Sequence, residues 1–303
     1  MERPYILHML TPGAQLSPFD VNMAVDAGWQ FVVPYCHVET GAVAGLTQDA
    51  IFSRGPKGAA RTGIFIGGRD VLQAADMLDA ARKAMVPPFV VSLFADPSGS
   101  YTTAAALVAM VQAQLRKVHQ AELAGQRLLI LGGTGTVGRI AGVLASGLGA
   151  DVRLASRHGE AAAREAAEQV NKRFGSSLSG VSSSDGAAVR AAIADTQVVL
   201  ATAAAGAQVL SADERGAATQ LLVAADVNAV PPAGIEGVGV MDGGKPLPGS
   251  QAVGIGALAI GNLKYQVQHR LLERMRSTDK PVVLSFHEAF ELAGEVLAES
   301  QGG

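Results

Sequence analysis

The chain of 303 residues has a single cysteine, Cys36, so it makes no internal disulfide and no cysteine-built metal site. It also has almost no charge excess. Its 24 Lys and Arg stand against 27 Asp and Glu, a net charge of −3, which gives no electrostatic case for a nucleic-acid partner. No apolar run approaches ~18 residues, so no membrane-spanning helix is expected. The start, Met1-Glu2-Arg3-Pro4 followed by a short apolar run over 5–10, does not read as a secretory signal, and a cytoplasmic location is expected. The six histidines (8, 37, 119, 158, 269 and 287) lack ligand spacing, and no G-x-S-x-G elbow or P-loop is present. His8, inside an apolar run, reads as a satisfied core residue, and Cys36 as a buried hydrophobe. What remains is a chain that is 49% apolar and only 17% charged, with 36 glycines and no Gly-X-Y period. Disorder, coiled coil and collagen are thereby excluded.

At ~150 residues per domain, the length predicts two domains. Strand-like and helix-like stretches alternate throughout, which argues for α/β architecture with parallel sheets. Strands are expected over 5–10, 29–35, 62–66 and 89–94. Helices are expected over 18–27 and 71–84, with a long one from about 102 to 122 that Gly125 closes. Further strands are expected at 126–131, 151–155, 180–182, 198–201 and 221–225, separated by helices at 136–148, 160–173, 186–194 and 212–218. The Gly- and Pro-rich stretch 228–256 reads as loops around a short strand at 238–241. Helices over 260–276 and 288–299 complete the chain, the last expected to pack on the N-terminal domain. The domains are then residues 1–105, completed by helices in 275–303, and a Rossmann-like dinucleotide-binding domain over 106–274.

The sharpest local signal is Leu128-Leu129-Ile130-Leu131-Gly132-Gly133-Thr134-Gly135-Thr136-Val137-Gly138. It holds Gly133-x-Gly135-x-x-Gly138 directly after a buried strand and at the start of a helix. A simple βα turn would also use glycine here, but this strand-then-helix context favours a dinucleotide. Gly133 would permit the tight turn, Gly135 the approach of a pyrophosphate, and Gly138 close packing of helix on strand. The N–H groups of Thr136 and Val137 would face the phosphates, with Thr134 in the loop. The following strand ends in Ser156-Arg157-His158, without the carboxylate that usually binds an NAD ribose. Ser156 and Arg157 suit a 2′-phosphate, so NADP is the preferred cofactor, with NAD as the other; a solvated Arg157 is the alternative.

Other candidates are placed by their position at strand ends, where α/β proteins bind ligands. Asp20 follows Ser17-Pro18-Phe19 after the first strand, and it would equally serve as a helix cap. Asp96 follows the fourth strand. Ser98-Gly99-Ser100-Tyr101-Thr102-Thr103 opens a helix and would cap it or receive an anion. Asp226-Val227-Asn228 ends another strand, and Lys264 lies on a helix after a run of small residues.

Taken together, these strings resemble the NAD(P)-dependent methylenetetrahydromethanopterin dehydrogenases of methylotrophic bacteria, over nearly the full length. The resemblance rests on His8-Met9-Leu10-Thr11-Pro12, Ser17-Pro18-Phe19-Asp20-Val21-Asn22-Met23-Ala24 and Thr62-Gly63-Ile64-Phe65-Ile66-Gly67-Gly68. It extends through Phe94-Ala95-Asp96-Pro97-Ser98-Gly99-Ser100, Asp226-Val227-Asn228-Ala229-Val230-Pro231-Pro232-Ala233-Gly234-Ile235 and Asn262-Leu263-Lys264-Tyr265-Gln266. It implies oxidation of a methylene-tetrahydromethanopterin to its methenyl cation, with hydride passing to NADP or NAD. It further implies a pterin-side N-terminal domain, a cleft between it and the Rossmann domain, and a homo-oligomer, trimer or hexamer. Phe19, Asp20, Asp96 and Lys264 would stand on the pterin side, Asp20 and Lys264 in catalysis. Thr102, the loop Gly133–Gly138, Ser156, Arg157 and Asn228 would meet the dinucleotide. A methylenetetrahydrofolate dehydrogenase and a non-enzymatic dinucleotide sensor are the alternatives, the second because fold does not fix function. No Tyr-x-x-x-Lys pair is present, since Ala105 follows Tyr101 at that spacing, which speaks against cyclohydrolase activity.

Overall fold

The computed structural model describes residues 3–277 and 280–302, so Met1, Glu2, Gly303 and positions 278 and 279 of the expected N-terminal domain and its C-terminal helices lie outside the described residues. In chain order the strands are β1 Ile6–Leu10, β2 Phe31–Tyr35, β3 Thr62–Ile66, β4 Ser92–Ala95, β5 Arg127–Leu131 and β6 Asp151–Ser156. They continue as β7 Leu178–Ser182, β8 Val198–Ala201, β9 Val223–Asp226, β10 Gly243–Pro246, β11 Val253–Ile255 and β12 Val283–Leu284. The helices are α1 Pro18–Asp26, α2 Val43–Phe52, α3 Gly55–Ala59, α4 Val71–Lys83, α5 Ser100–His119 and α6 Thr136–Gly147. After them come α7 Glu160–Phe174, α8 Gly186–Ile193, α9 Ala212–Arg215, α10 Ala257–Ser277 and α11 Phe286–Gly302. The chain is thus α/β, and it divides into two compact units: Met1–Thr102 with Tyr265–Leu292, and Thr103–Lys264 with Ala293–Gly303.

The first unit carries a parallel five-stranded sheet in the order β12-β4-β3-β1-β2. Its inner strands β3 and β4 are buried along their whole length, as strands covered on both faces must be. β2 lies at an edge, paired with β1 from Ile6↔Phe31 to Leu10↔Tyr35, and Phe31 is 57% exposed. Cys36 follows that edge strand and is exposed, which corrects the expectation of a buried thiol. Intrinsic apolarity favours burial of cysteine, but here its position just past a solvent-facing strand decides. His8 is half-buried, its Nδ1 3.1 Å from the Tyr35 hydroxyl. Burial, and secondarily the Arg54 charge, hold its imidazole below the ordinary value.

Two helices, α2 and α3, fill a stretch for which the sequence reading gives no element. α2 buries Val43, Thr47, Ala50 and Ile51, yet it contains Gly45 and has no side-chain N-cap, so its start signal is missing. α5 begins two residues earlier than expected. It ends at His119 because Gln120 takes the left-handed conformation (φ 52), ahead of Gly125.

The second unit holds a seven-stranded sheet in the order β10-β11-β9-β8-β5-β6-β7, parallel except for the β10–β11 pair. From β5 the chain first runs outward through β6 and β7, then resumes on the other side with β8 and β9. The order therefore reverses between β5 and β8, whose C-terminal ends are where open α/β sheets bind ligands. The strand expected at 238–241 does not form. Gly239 N–H donates to Asp242 Oδ2 (2.7 Å) and Asp242 N–H to Gly239 O (3.0 Å), which closes a turn there. Of that stretch only Val238 is buried, while Met241 is 72% exposed, and β10 and β11 supply the pairing instead.

Candidate active site

In the second unit, β5 delivers the glycine loop. Leu128 to Leu131 are buried, and the chain then turns through Gly132 at φ +74. A Cβ on Gly132 would stand 2.7 Å from the Ala203 backbone, so this position, one before the predicted one, carries the turn. Gly133 serves close packing instead. Its Cβ would stand 2.7 Å from Ile130 O and 3.0 Å from Leu154 Cα. Gly138 presses α6 onto the loop, with a Cβ 2.8 Å from Gly133 Cα and 2.7 Å from Thr202 Oγ1. The Thr202 hydroxyl in turn donates to Gly132 O (3.2 Å).

Gly135 differs from these three. It is the N-cap of α6, extended at φ −72, and its Cβ would meet nothing nearer than Gly132 O at 3.4 Å. No side chain caps α6, so among the described residues the first-turn N–H groups of Thr136, Val137 and Gly138 have no side-chain acceptor. Gly135, with Thr134, opens onto a cavity of about 650 Å³ whose walls also include Ser156, Arg157, His158 and Val189. An uncapped helix start behind a glycine that faces open space fits a pyrophosphate.

The strand-end triplet lines the same cavity. Ser156 is buried and its Oγ accepts from His158 N–H (3.1 Å), which leaves the hydroxyl proton to give. Arg157 is exposed, and its Nε donates to His158 Nε2 (3.3 Å). Asn228 is placed differently. Its Oδ1 accepts from Gly206 N–H (3.1 Å) and Val230 N–H (2.9 Å), and its Nδ2 donates to Pro232 O (2.9 Å). Asp226 clamps the other end of that loop, accepting from Asn228 N–H (2.9 Å) and Ile235 N–H (3.1 Å). Burial pushes the Asp226 carboxyl up, against the pull of these backbone donors. The side chain of Asn228 thus shapes the loop after β9.

In the first unit, Asp20 sits in the first turn of α1 and is 3% exposed. Its Oδ1 accepts from Nε2 of Gln268, which is 0% exposed (2.8 Å). Phe19, beside it, is 46% exposed. Asp96, wholly buried after β4, is the anchor of α5. It accepts from Tyr101 N–H (2.9 Å), Thr102 N–H (3.2 Å) and the Thr102 hydroxyl (2.7 Å). Those bonds bring Asp96 and Thr102 together and direct both side chains at the helix start. Between them Ser98 is held at φ 53 by a 2.7 Å bond from its hydroxyl to Gly68 O. Lys264 is half-buried on α10.

Gln268 is the residue the sequence reading missed. One signal was available: it follows Lys264 by four residues, on the same helix face, inside the apolar pattern Leu263, Val267, Leu271. A fully buried amide in such a stripe needs a polar partner. Among the described residues no group of His, Cys, Asp and Glu could hold a metal ion, and no helix is long and apolar enough to cross a membrane.

A family profile described as "Methylene-tetrahydromethanopterin dehydrogenase, N-terminal" matches residues 18–98. An NAD(P)-dependent methylenetetrahydromethanopterin dehydrogenase of Methylorubrum extorquens is 48% identical over 291 residues, covering 96% of this chain and 98% of its own. The bifunctional protein MdtA of the same organism is 32% identical, again over 96% of this chain and 98% of its own. Among solved structures, shikimate 5-dehydrogenase from Listeria monocytogenes, in complex with shikimate and NAD, superposes with a TM-score of 0.51. It covers 97% of this chain and 96% of that one at 13% identity, a likeness of fold.

Proposed function

The chain belongs to the family of NAD(P)-dependent methylenetetrahydromethanopterin dehydrogenases, and on that premise we propose that it oxidises 5,10-methylenetetrahydromethanopterin to the 5,10-methenyl cation. The observation that carries the cofactor half of the reading is Gly135. It faces a cavity of about 650 Å³ at the uncapped start of α6, beside a strand end that bears Ser156 and Arg157 and no carboxylate. NADP or NAD, when bound, supplies the nicotinamide C4 that accepts the hydride.

The methylene C–H bond breaks with both its electrons, and the positive charge left behind spreads over the two flanking nitrogens. No proton moves, so the chain's task is positioning, exclusion of water and electrostatics. Asp20 suits that task, because the Gln268 amide holds its buried carboxyl in one orientation, from which a carboxylate would offset the charge of the cation. Lys264 orients a polar group or tail carboxylate of the pterin. Asp96 and Thr102 contribute by holding the start of α5, with Ser98 set on its loop. The first-turn N–H groups of α6, with Thr134 and Gly135, hold the pyrophosphate, and Ser156 and Arg157 read the ribose. Asn228 acts by fixing the loop after β9.

Steady-state turnover followed at the reduced-nicotinamide absorbance tests the reading. Tetrahydromethanopterin and tetrahydrofolate substrates are each paired with NADP and NAD. Turnover with the methanopterin substrate is expected, with kcat nearly flat across neutral pH. A tenfold fall in kcat per pH unit that Asp20→Ala abolishes would make Asp20 a base and overturn the mechanism. The reading also carries a cytoplasmic location and a homo-oligomeric assembly, the latter checked by light scattering.

A further inference from the structure

We propose that Ser183 is a further cofactor-contacting residue, its hydroxyl bonding the 2′-substituent of the adenosine ribose beside Ser156 and Arg157. This rests on the dinucleotide reading of the cavity and deepens it. β7 ends at Ser182, in register with Ser156 of β6. One residue on, Ser183 N–H donates to Ser156 O at 2.9 Å. Ser183 is thereby fixed next to the strand end where a Rossmann sheet meets the ribose.

The hydroxyls on either side of it are already used. Ser182 Oγ donates to Ser184 Oγ (3.0 Å) and accepts from Ser184 N–H (3.2 Å), and Ser184 Oγ donates to Asp185 Oδ2 (3.3 Å). The Ser183 hydroxyl has no hydrogen-bond partner among the described residues, while the residue lines the cavity with Arg157 and His158. Asp185 lines it too, but its Oδ1 accepts from Ala188 N–H (2.9 Å), which ties the carboxylate to the start of α8.

The chemistry of the set defines what it accepts. A carboxylate at this place would take a 2′-hydroxyl and repel a phosphate, and an arginine alone would favour the phosphate. A serine hydroxyl donates to a phosphate oxygen and accepts from a ribose hydroxyl. Ser156, Arg157 and Ser183 together therefore admit both dinucleotides, with a preference for the phosphorylated one.

Calorimetric titration with the fragments 2′,5′-ADP and 5′-ADP tests this without turnover. Ser183→Ala should weaken 2′,5′-ADP by about 10- to 150-fold, through loss of a bond to a charged oxygen, and 5′-ADP by less than about 10-fold, through loss of a bond to a neutral hydroxyl. Ser183→Thr, which keeps the hydroxyl, should restore it. Ser183→Asp should weaken 2′,5′-ADP by more than about 30-fold and leave 5′-ADP bound, because like charges then face each other. If Arg157→Ala weakens 2′,5′-ADP while the Ser183→Ala and Ser183→Asp proteins bind as wild type, the Ser183 assignment is wrong and the dinucleotide reading stands. If the wild type binds neither fragment, or Arg157→Ala changes neither, that reading falls and the assignment with it.

Discussion

Two glycines three residues apart, Gly132 and Gly135, should fail in opposite ways when given side chains. Gly132→Ala forces an L residue to φ +74, which costs ~1–2 kcal/mol. It also drives a methyl to 2.7 Å from Ala203 N and Cα, backbone atoms that cannot swing aside, at a further ~1–3 kcal/mol. The sum, ~2–5 kcal/mol, lowers Tm by about 4–20 °C at the ~2–4 °C per kcal/mol of a unit this size. Gly135→Val meets no such obstacle, since its φ is −72 and its nearest neighbour would be 3.4 Å away. Loss of a favourable N-cap costs ~0.5–1 kcal/mol, a fall of about 1–4 °C. Its branched carbons would instead stand where the pyrophosphate is proposed to approach. Each N–H bond to a charged oxygen thus lost is worth ~1.5–3 kcal/mol, or about 10- to 150-fold in affinity. Differential scanning calorimetry reads the first effect and titration with NADP the second. A Gly132→Ala protein as stable as wild type, or a folded Gly135→Val protein that binds NADP unchanged, would refute the division of labour within the loop.

Arg157→Ala should weaken NADP by about 10- to 150-fold and NAD by less than about 3-fold, and equal losses in equilibrium binding would remove Arg157 from the 2′-phosphate. Gln268→Leu strips one donor from the buried Asp20 carboxylate, so kcat should fall with KM nearly constant, and Tm should drop for a cost of ~1–3 kcal/mol; an unchanged kcat would deny the positioning role. Burial raises the Asp226 pKa, so its contribution to stability is full below the ordinary 3.8 and is lost as pH rises through the raised value. The urea midpoint of wild type minus that of Asp226→Asn should accordingly decline with rising pH over that window, and a difference that grows would contradict the sign. Asp195 shifts the other way, held down by hydrogen bonds from Arg153 (2.7 Å) and Arg127 (2.5 Å), so Asp195→Asn should cost ~1 kcal/mol near neutrality, with the gap to wild type closing as pH falls below 3.8 in urea titrations.

Periodicity made most of the architecture legible. β3 and β8 fall on the residues that their apolar runs predict, because central parallel strands are apolar on both faces and bounded by turn residues. The signal failed where local chemistry was weak. α2 lacks a capping side chain, and the Val238–Met241 alternation was overruled by the Asp242 side chain folding back on Gly239. In the glycine loop the fingerprint was legible but its assignment was one residue off, since only φ distinguishes Gly132 from Gly133. Ser156 and Arg157 could be placed at one strand end from spacing alone. Gln268 could not be joined to Asp20, because 248 residues of chain separate them and no local pattern encodes a tertiary hydrogen bond.

Edge strand β2 has a further consequence for association. Phe31 N–H donates to Tyr5 O, and Tyr35 O accepts from Thr11 N–H, so residues 31, 33 and 35 turn their peptide groups toward β1. Strand alternation leaves Val32 and Pro34 facing outward, and proline has no N–H to offer. The outer rim of the sheet is thus deprived of a donor at its middle, and another strand cannot zip onto it. Any molecule that covers the exposed Phe31 and Val33 must do so by side-chain contact. At β2 the sheet is closed to growth while the exposed side chains there remain apolar.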